Sequence, residues 1–307
     1  MTIAEPVAVL SATAPSSVIA TTPKRWRRFG HQWLHSVKGM TGAVLIGLAI
    51  VAALTAPIIS PHDPTKTAAR GKFAEPGIVG GNTDYWLGGD NLGRDLLSRV
   101  LYASRASLSL GLAVTIIAAV AGSLLGALAG YRGGIIDTSI MRLVDLQLSI
   151  PFIILALIFF AILGPGYWSV FVALAVALWV NYARLVRGET LKIRAMEYVT
   201  AAETIGVSGS RILFVHILPN VVPSILVLAT LDMAFVIIFE SSLTFLGLGI
   251  QPPTPTWGYM LSEGRNFLRE SPWMSIVPGG AIILTVVGIN LLGDWLRDTL
   301  DPSLRHR

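Results

Sequence analysis

The stretch EYVTAAETIGVSGSRILFVHILPN, residues 197–220, is a polar, charged interruption between long apolar runs. Tyr198, Ala202 and Ile205 recur at helical spacing, so one face can pack while the other stays polar. Gly206 breaks the pattern and permits a bend. Ser208 is placed to cap a second short helix carrying Arg211, and Pro219 and Pro223 open the next apolar run. The segment therefore predicts a bent amphipathic helix pair. On a membrane surface such a pair is either a docking device for a soluble partner or a plain connection between two spans, and shape alone fits both. Small residues at Ala201, Ala202 and Gly206 would let another protein approach closely.

Outward from this segment the composition is that of a membrane protein. The chain has 307 residues, 53% hydrophobic and only 13% charged, with a mean hydropathy of +0.67. A soluble domain carries about a quarter charged residues. A bilayer core takes about 20 apolar residues in a helix. Six segments qualify: residues 39–59, 106–131, two within 146–183, then 217–248 and 275–295. The run 146–183 has no charge and is too long for one span, so Gly164-Pro165-Gly166 is expected to fold it into a tight hairpin. Pro151 is expected to kink the third span by removing a backbone hydrogen bond. In the second span Ala118, Gly122, Gly126 and Gly130 lie four apart, which makes a groove for a closely packed neighbour.

Charge bias orients these spans. With the N-terminus inside, fifteen of the 23 Lys and Arg fall on the cytoplasmic side and eight outside. This supports a multi-pass protein of the cell membrane with both termini cytoplasmic, and it puts residues 197–220 inside. The net charge of +5 reflects the same bias and does not call for nucleic acid. Residues 1–38 read as a cytoplasmic N-terminal tail. Its basic cluster from Lys24 to Lys38 precedes an uncleaved anchor, whereas a signal peptide carries its basic residues at the extreme N-terminus. Residues 39–307 read as the membrane domain, with an outer loop at 60–105 and a cytoplasmic segment at 184–218.

The outer loop contains LGGDNLGRDLLSRV, residues 87–100. Its glycines allow turns, and Asp90, Arg94 and Asp95 can pair. It lacks the Lys-Ser/Thr of a P-loop and no strand precedes it. A charged turn capping a helix that begins near Leu96, or a substrate contact, both fit.

Taken together these residues resemble one family. Ala201-Ala202, then Gly206, then Ile217-Leu218-Pro219 resembles the EAA loop of ABC importer permeases, with Thr200 where that family usually has Glu. The ending HILPN, with His216 and Asn220, is similar to the dipeptide/oligopeptide/nickel branch. Residues 87–100 resemble its LGTDxxGRD signature, with Gly89 in place of Thr. MRLVDLQLSIP (141–151), FESSLTFLGLG (239–249), QPPTPTWGYML (251–261) and NLLGDWLRDTLDPSLR (290–305) extend the likeness over nearly all of the chain from the first span.

The resemblance, of DppC/OppC type, implies an all-α integral membrane protein with a six-span type I ABC importer permease fold and a cytoplasmic coupling helix pair. It implies that Ala201, Ala202, Glu203, Gly206, Val207 and Arg211 meet an ATPase; the role of the family's Glu is not carried over to Thr200. Asp90, Gly93, Arg94 and Asp95 would form the outer-loop signature. The implied partners are a homologous B-type permease, two cytoplasmic ATPase domains, an extracytoplasmic substrate-binding protein and membrane lipid. No cofactor is expected in this chain; ATP and Mg would belong to the ATPases.

Asp232 and Glu240 lie in the fifth run, about 80° apart around a helix, so both can belong to one inward sector. With Asp145 they are candidates for lining a translocation path. A carboxylate facing lipid costs about 2.5–3.5 kcal/mol, so Asp232 should face other helices or a wet cavity. It would there be either a hydrogen-bonded strut or a polar patch suited to the amino end of a peptide. The acids lie far apart in sequence, the five His are scattered and Cys is absent, so no catalytic or metal-binding constellation emerges. The expectation is a permease subunit of an ATP-driven importer for peptides or similar small solutes. The competing reading is a stand-alone secondary transporter or channel, which has no need of a docking lever.

Overall fold

The charge-free runs wind into helices, and what terminates each one is visible in the side chains at its ends. The computed structural model describes residues 36–300, so most of the N-terminal tail, its basic cluster apart from Lys38, and residues 301–307 lie outside the described residues. Helix α1 (Val37–Ile59) is capped by Ser36, whose hydroxyl accepts from the Gly39 N–H at 3.2 Å. It buries only Gly39, Gly42 and Ala56 and turns Val44, Leu48, Val51 and Leu54 outward. A helix apolar on all sides belongs in lipid.

Helix α2 (Leu96–Arg132) begins ten residues before the charge-free run 106–131. Asp95 sets this start. Its carboxylate accepts from the backbone N–H and the hydroxyl of Ser98, at 2.8 and 2.6 Å. Residues 96–105, assigned to the outer loop above, are thus the first turns of α2. The third span also differs from expectation. Helices α3 (Gly134–Leu148) and α4 (Phe152–Leu163) meet at 90°. Pro151 breaks the helix rather than kinking it, because it lacks an N–H and disfavours helical backbone at Ile150. Gln147 holds the corner: it donates to the Val176 carbonyl and accepts from Trp179 Nε1 at 2.7 Å. Alone, α4 is about 18 Å long, too short for a hydrocarbon core of about 30 Å.

Helix α5 (Tyr167–Arg194) follows the expected hairpin, where Gly164 adopts a φ of +76°. A short helix α6 (Glu197–Thr204) leads into α7 (Gly209–Phe245), then α8 (Trp257–Gly264) and α9 (Trp273–Leu300). Five helices (α1, α2, α5, α7 and α9) are long and apolar enough to cross a membrane, or six spans when the bent α3–α4 pair is counted as one. No strand occurs among the described residues.

The glycine stripe of α2 is the seam with α5. A Cβ on Gly122 would sit 2.2 Å from the Trp179 carbonyl oxygen, and one on Gly126 2.4 Å from that of Ala183. Backbones can approach this closely only without side chains, and such packing holds helices together in lipid. Gly42 does the same for α1 against α9, where a Cβ would lie 2.7 Å from the Leu292 nitrogen. Helix α7 lies against α2, α5 and α9 and buries Val236 and Ile237 completely.

Candidate functional site

Three sets of residues stand out, and the first is the α6 segment. Helix α6 ends in a Schellman turn: the Gly206 N–H donates to the Glu203 carbonyl at 3.0 Å and the Val207 N–H to that of Ala202 at 3.1 Å. The turn requires the φ of +81° at Gly206, and the chain bends there. Tyr198, Ala201, Glu203, Ile205 and Gly206 face outward, with Ile205 80% exposed. Ala202 is different. It is buried beside Val199, Ile212 and Ile217, so it anchors α6 to its own chain and presents no surface for close approach. Val207 is half-buried in the same cluster and Arg211 is exposed.

No second, separate helix forms. Residues Gly209–Arg211 are the first turn of α7, and residues Ile212–Ile217 wind as a π-helix before Leu218–Phe245 continues as α-helix. Ser208 precedes this turn without a side-chain capping bond. The wider π-turn accommodates Pro219, which has no N–H to offer an α-helix. Arg194 ties the segment to α2: it donates to the Tyr131 carbonyl at 2.6 Å and lies 5.3 Å from the centre of that ring. It also approaches Glu203 at 3.9 Å.

The second set sits at the opposite end of the bundle. Asp90 is fully buried. Its carboxylate accepts from the Leu92 and Arg94 backbone N–H groups and from the guanidinium groups of Arg94 and Arg99. Both arginines then reach Glu263 on α8, each at 2.7 Å. The result is a closed quartet of two acids and two bases. Burial works against the Arg94 charge, but Asp90 and Glu263 outweigh it and hold its pKa above the ordinary value. Gly93 has a φ of +76°, and a Cβ there would lie 1.8 Å from the Ala68 oxygen. Of the outer-loop signature, Asp90, Gly93 and Arg94 therefore shape this knot and Asp95 caps α2. Arg99 and Glu263 were not singled out in the sequence. Glu263 is the one charged side chain of α8, which was the available signal.

The third set is the pair of carboxylates in α7. Glu240 is 1% exposed. It accepts from Thr244 at 3.0 Å and Ser241 at 3.3 Å, and the hydroxyls of Thr256 and Ser107 face it. Asp232 is 6% exposed and faces the Tyr182 hydroxyl of α5. Neither acid has a cationic partner among the described residues. Asp145 is not with them; it pairs with Arg184 at 2.7 Å on the exposed side of α3 and α5.

With this geometry in place the likeness to known proteins is informative. Residues 122–306 match the family described as "Binding-protein-dependent transport system inner membrane component". The chain is 40% identical over 298 residues to the di/tripeptide transport system permease protein DppC of Pseudomonas aeruginosa, covering 96% of this chain and 97% of that one. It is 37% identical over 266 residues to the oligopeptide transport system permease protein OppC of Bacillus subtilis, covering 87% and 86%. In fold it resembles a chain of the inward-facing MetNI methionine ABC transporter, with a TM-score of 0.54 at 20% identity, over 66% of this chain and 96% of the other.

Proposed function

The chain belongs to the family of inner membrane components of binding-protein-dependent transport systems, and on that premise we propose that it is the C-type permease subunit of an ATP-driven importer of peptides or similar small solutes. It supplies half of a translocation path beside a homologous B-type permease. Two cytoplasmic ATPase domains, holding ATP and Mg, drive it, and an extracytoplasmic binding protein delivers the solute. Both termini and α6 lie on the cytoplasmic side, in keeping with the excess of Lys and Arg there. Asp232 and Glu240 are the path candidates on α7, and Asp145 sits nearer the surface.

One observation carries this reading. Helix α6 exposes Ala201, Ile205 and Gly206, anchors itself through Ala202, and runs through one bend into α7, which holds both buried acids. A push on α6 is thereby transmitted to the helix that packs against α2, α5, α8 and α9. A stand-alone carrier has no use for such a lever.

Gly206 provides the test. A Cβ there would meet nothing of its own chain within 4 Å, so a side chain would start out into the space a docked partner fills. Gly206→Trp is expected to leave insertion and pairing intact but abolish solute-stimulated ATP hydrolysis in the reconstituted assembly. Gly206→Asn, which tolerates the positive φ, is expected to keep most of it. Normal stimulation in Gly206→Trp removes α6 as the docking lever.

A further inference from the structure

Asp232 cannot touch a solute in the conformation described, because it is 6% exposed. What covers it on α5 is Tyr182, itself fully buried, with its hydroxyl toward the carboxylate. Among the described residues neither the Tyr182 hydroxyl nor Asp232 Oδ2 has any polar partner but the other. Buried polar groups are normally satisfied, so parting α7 from α5 leaves both groups to find water instead of each other.

The two helices that carry the pair are held unequally. Helix α5 is locked to α2 by backbone-close packing, since a Cβ on Gly122, Gly126 or Gly130 would approach α5 atoms at 2.8 Å or less. Helix α7 meets α2 through ordinary side-chain contact; at Gly111 a Cβ would be 3.5 Å from Ile237 Cγ1. So α2 and α5 form one closely packed pair, while α7 is held tightly to α8 and α9 instead: a Cβ on Gly258 would lie 2.6 Å from Ser241 Cα, and one on Gly293 2.4 Å from Thr230 Oγ1. The base of α7 is also its softest part. Residues Ile212–Ile217 are π-helical, Pro219 and Pro223 contribute no N–H, and the Asn220 side chain donates to the His216 carbonyl at 2.6 Å. Helices bend at such interruptions.

We propose that Tyr182 is a positioning residue that holds Asp232 covered against α5, and that α7, hinged at its π-helical base, uncovers Asp232 when it swings away from the α2–α5 pair. This rests on the importer reading. The contact acts as a latch: while it holds, α7 stays docked and hydrolysis idles.

The test uses the complete assembly of both permeases, the ATPases and the binding protein. Tyr182→Phe, Asp232→Leu and the double variant are compared for ATP hydrolysis in the absence of binding protein, with intact co-purification as the check on folding. Each single variant is expected to raise idle hydrolysis severalfold. The double variant is expected to raise it no further than the larger single effect, since both remove the same contact. Additive effects, or idle hydrolysis unchanged in all three intact assemblies, overturn the latch. Gly206→Trp in the same preparation keeps the two claims apart. If it abolishes stimulation while the latch variants are silent, only the latch fails; if it too is silent, the α6 docking lever fails with it.

Discussion

Glu263→Gln probes the buried charge quartet with a single isosteric change. Glu263 binds Arg94 and Arg99 at 2.7 Å each, and side-chain exposure is 13% for Glu263, 11% for Arg94, 3% for Arg99 and none for Asp90. The glutamine keeps the shape and one acceptor. It leaves two buried guanidinium groups to share the single charge of Asp90. Breaking a buried ion pair from one side costs about 3–5 kcal/mol. At roughly 2–4 °C per kcal/mol, the unfolding midpoint should fall by roughly 6–20 °C. The loss has a clear route: the quartet joins the 88–95 turn and α2 to α8. Trp273, which donates to the Gly89 carbonyl at 3.3 Å, and Trp257, which donates to Val100 at 3.2 Å, flank it as fluorescent reporters. The assay is thermal unfolding of the purified permease pair in detergent, followed by tryptophan emission. Asp145→Asn is the control, because it removes the same charge from a pair whose side chains are 53% and 59% exposed. Exposed pairs contribute about 0–1 kcal/mol, so its midpoint should hardly move. Equal shifts in the two variants, or none in Glu263→Gln, would refute the reasoning.

Other outcomes follow from the same geometry. Gly122→Leu puts a side chain where even a Cβ would lie 2.2 Å from the Trp179 oxygen; α2 and α5 should part, and co-purification with the partner permease should be lost. Gly93→Ala demands a positive φ and a contact of 1.8 Å with Ala68, so it should lower the unfolding midpoint, whereas a replacement at exposed Asp84 should not. Asp232→Asn removes the charge but not the hydrogen-bonding capacity. Uptake of cationic and zwitterionic peptides should fall relative to anionic ones, and a uniform effect across all three classes would make Asp232 a strut.

The spans were legible because hydropathy is local: runs of about 20 apolar residues mark α1, α2, α5, α7 and α9 directly. The glycine stripe also read correctly as packing, since four-residue spacing has one geometric consequence on a helix. Pro151 announced an interruption, but its size depended on Gln147 meeting Val176 and Trp179 some thirty residues away. The same distance problem hid the quartet. Asp90 and Arg94 are neighbours in sequence, whereas Glu263 comes from α8, 169 positions after Arg94. Ala202 stands both on the stripe read as packing, with Tyr198 and Ile205, and among the small residues offered to a partner. The structure buries Ala202 and leaves Tyr198 and Ile205 exposed, because a period over eight residues does not fix where the packed face begins and ends. The π-helical start of α7 has no signature in hydropathy; Pro219 is its only mark, and in sequence a proline at the head of an apolar run is indistinguishable from a joint within a longer helix.

The most direct measurement of the central claim is peptide uptake into proteoliposomes holding both permeases, with ATPases and binding protein supplied or withheld. The account predicts uptake only when ATP is present on the side where α6 projects, unaffected by collapsing the proton and sodium gradients. Gradient-driven uptake by the permeases alone, with no ATPase present, would contradict it.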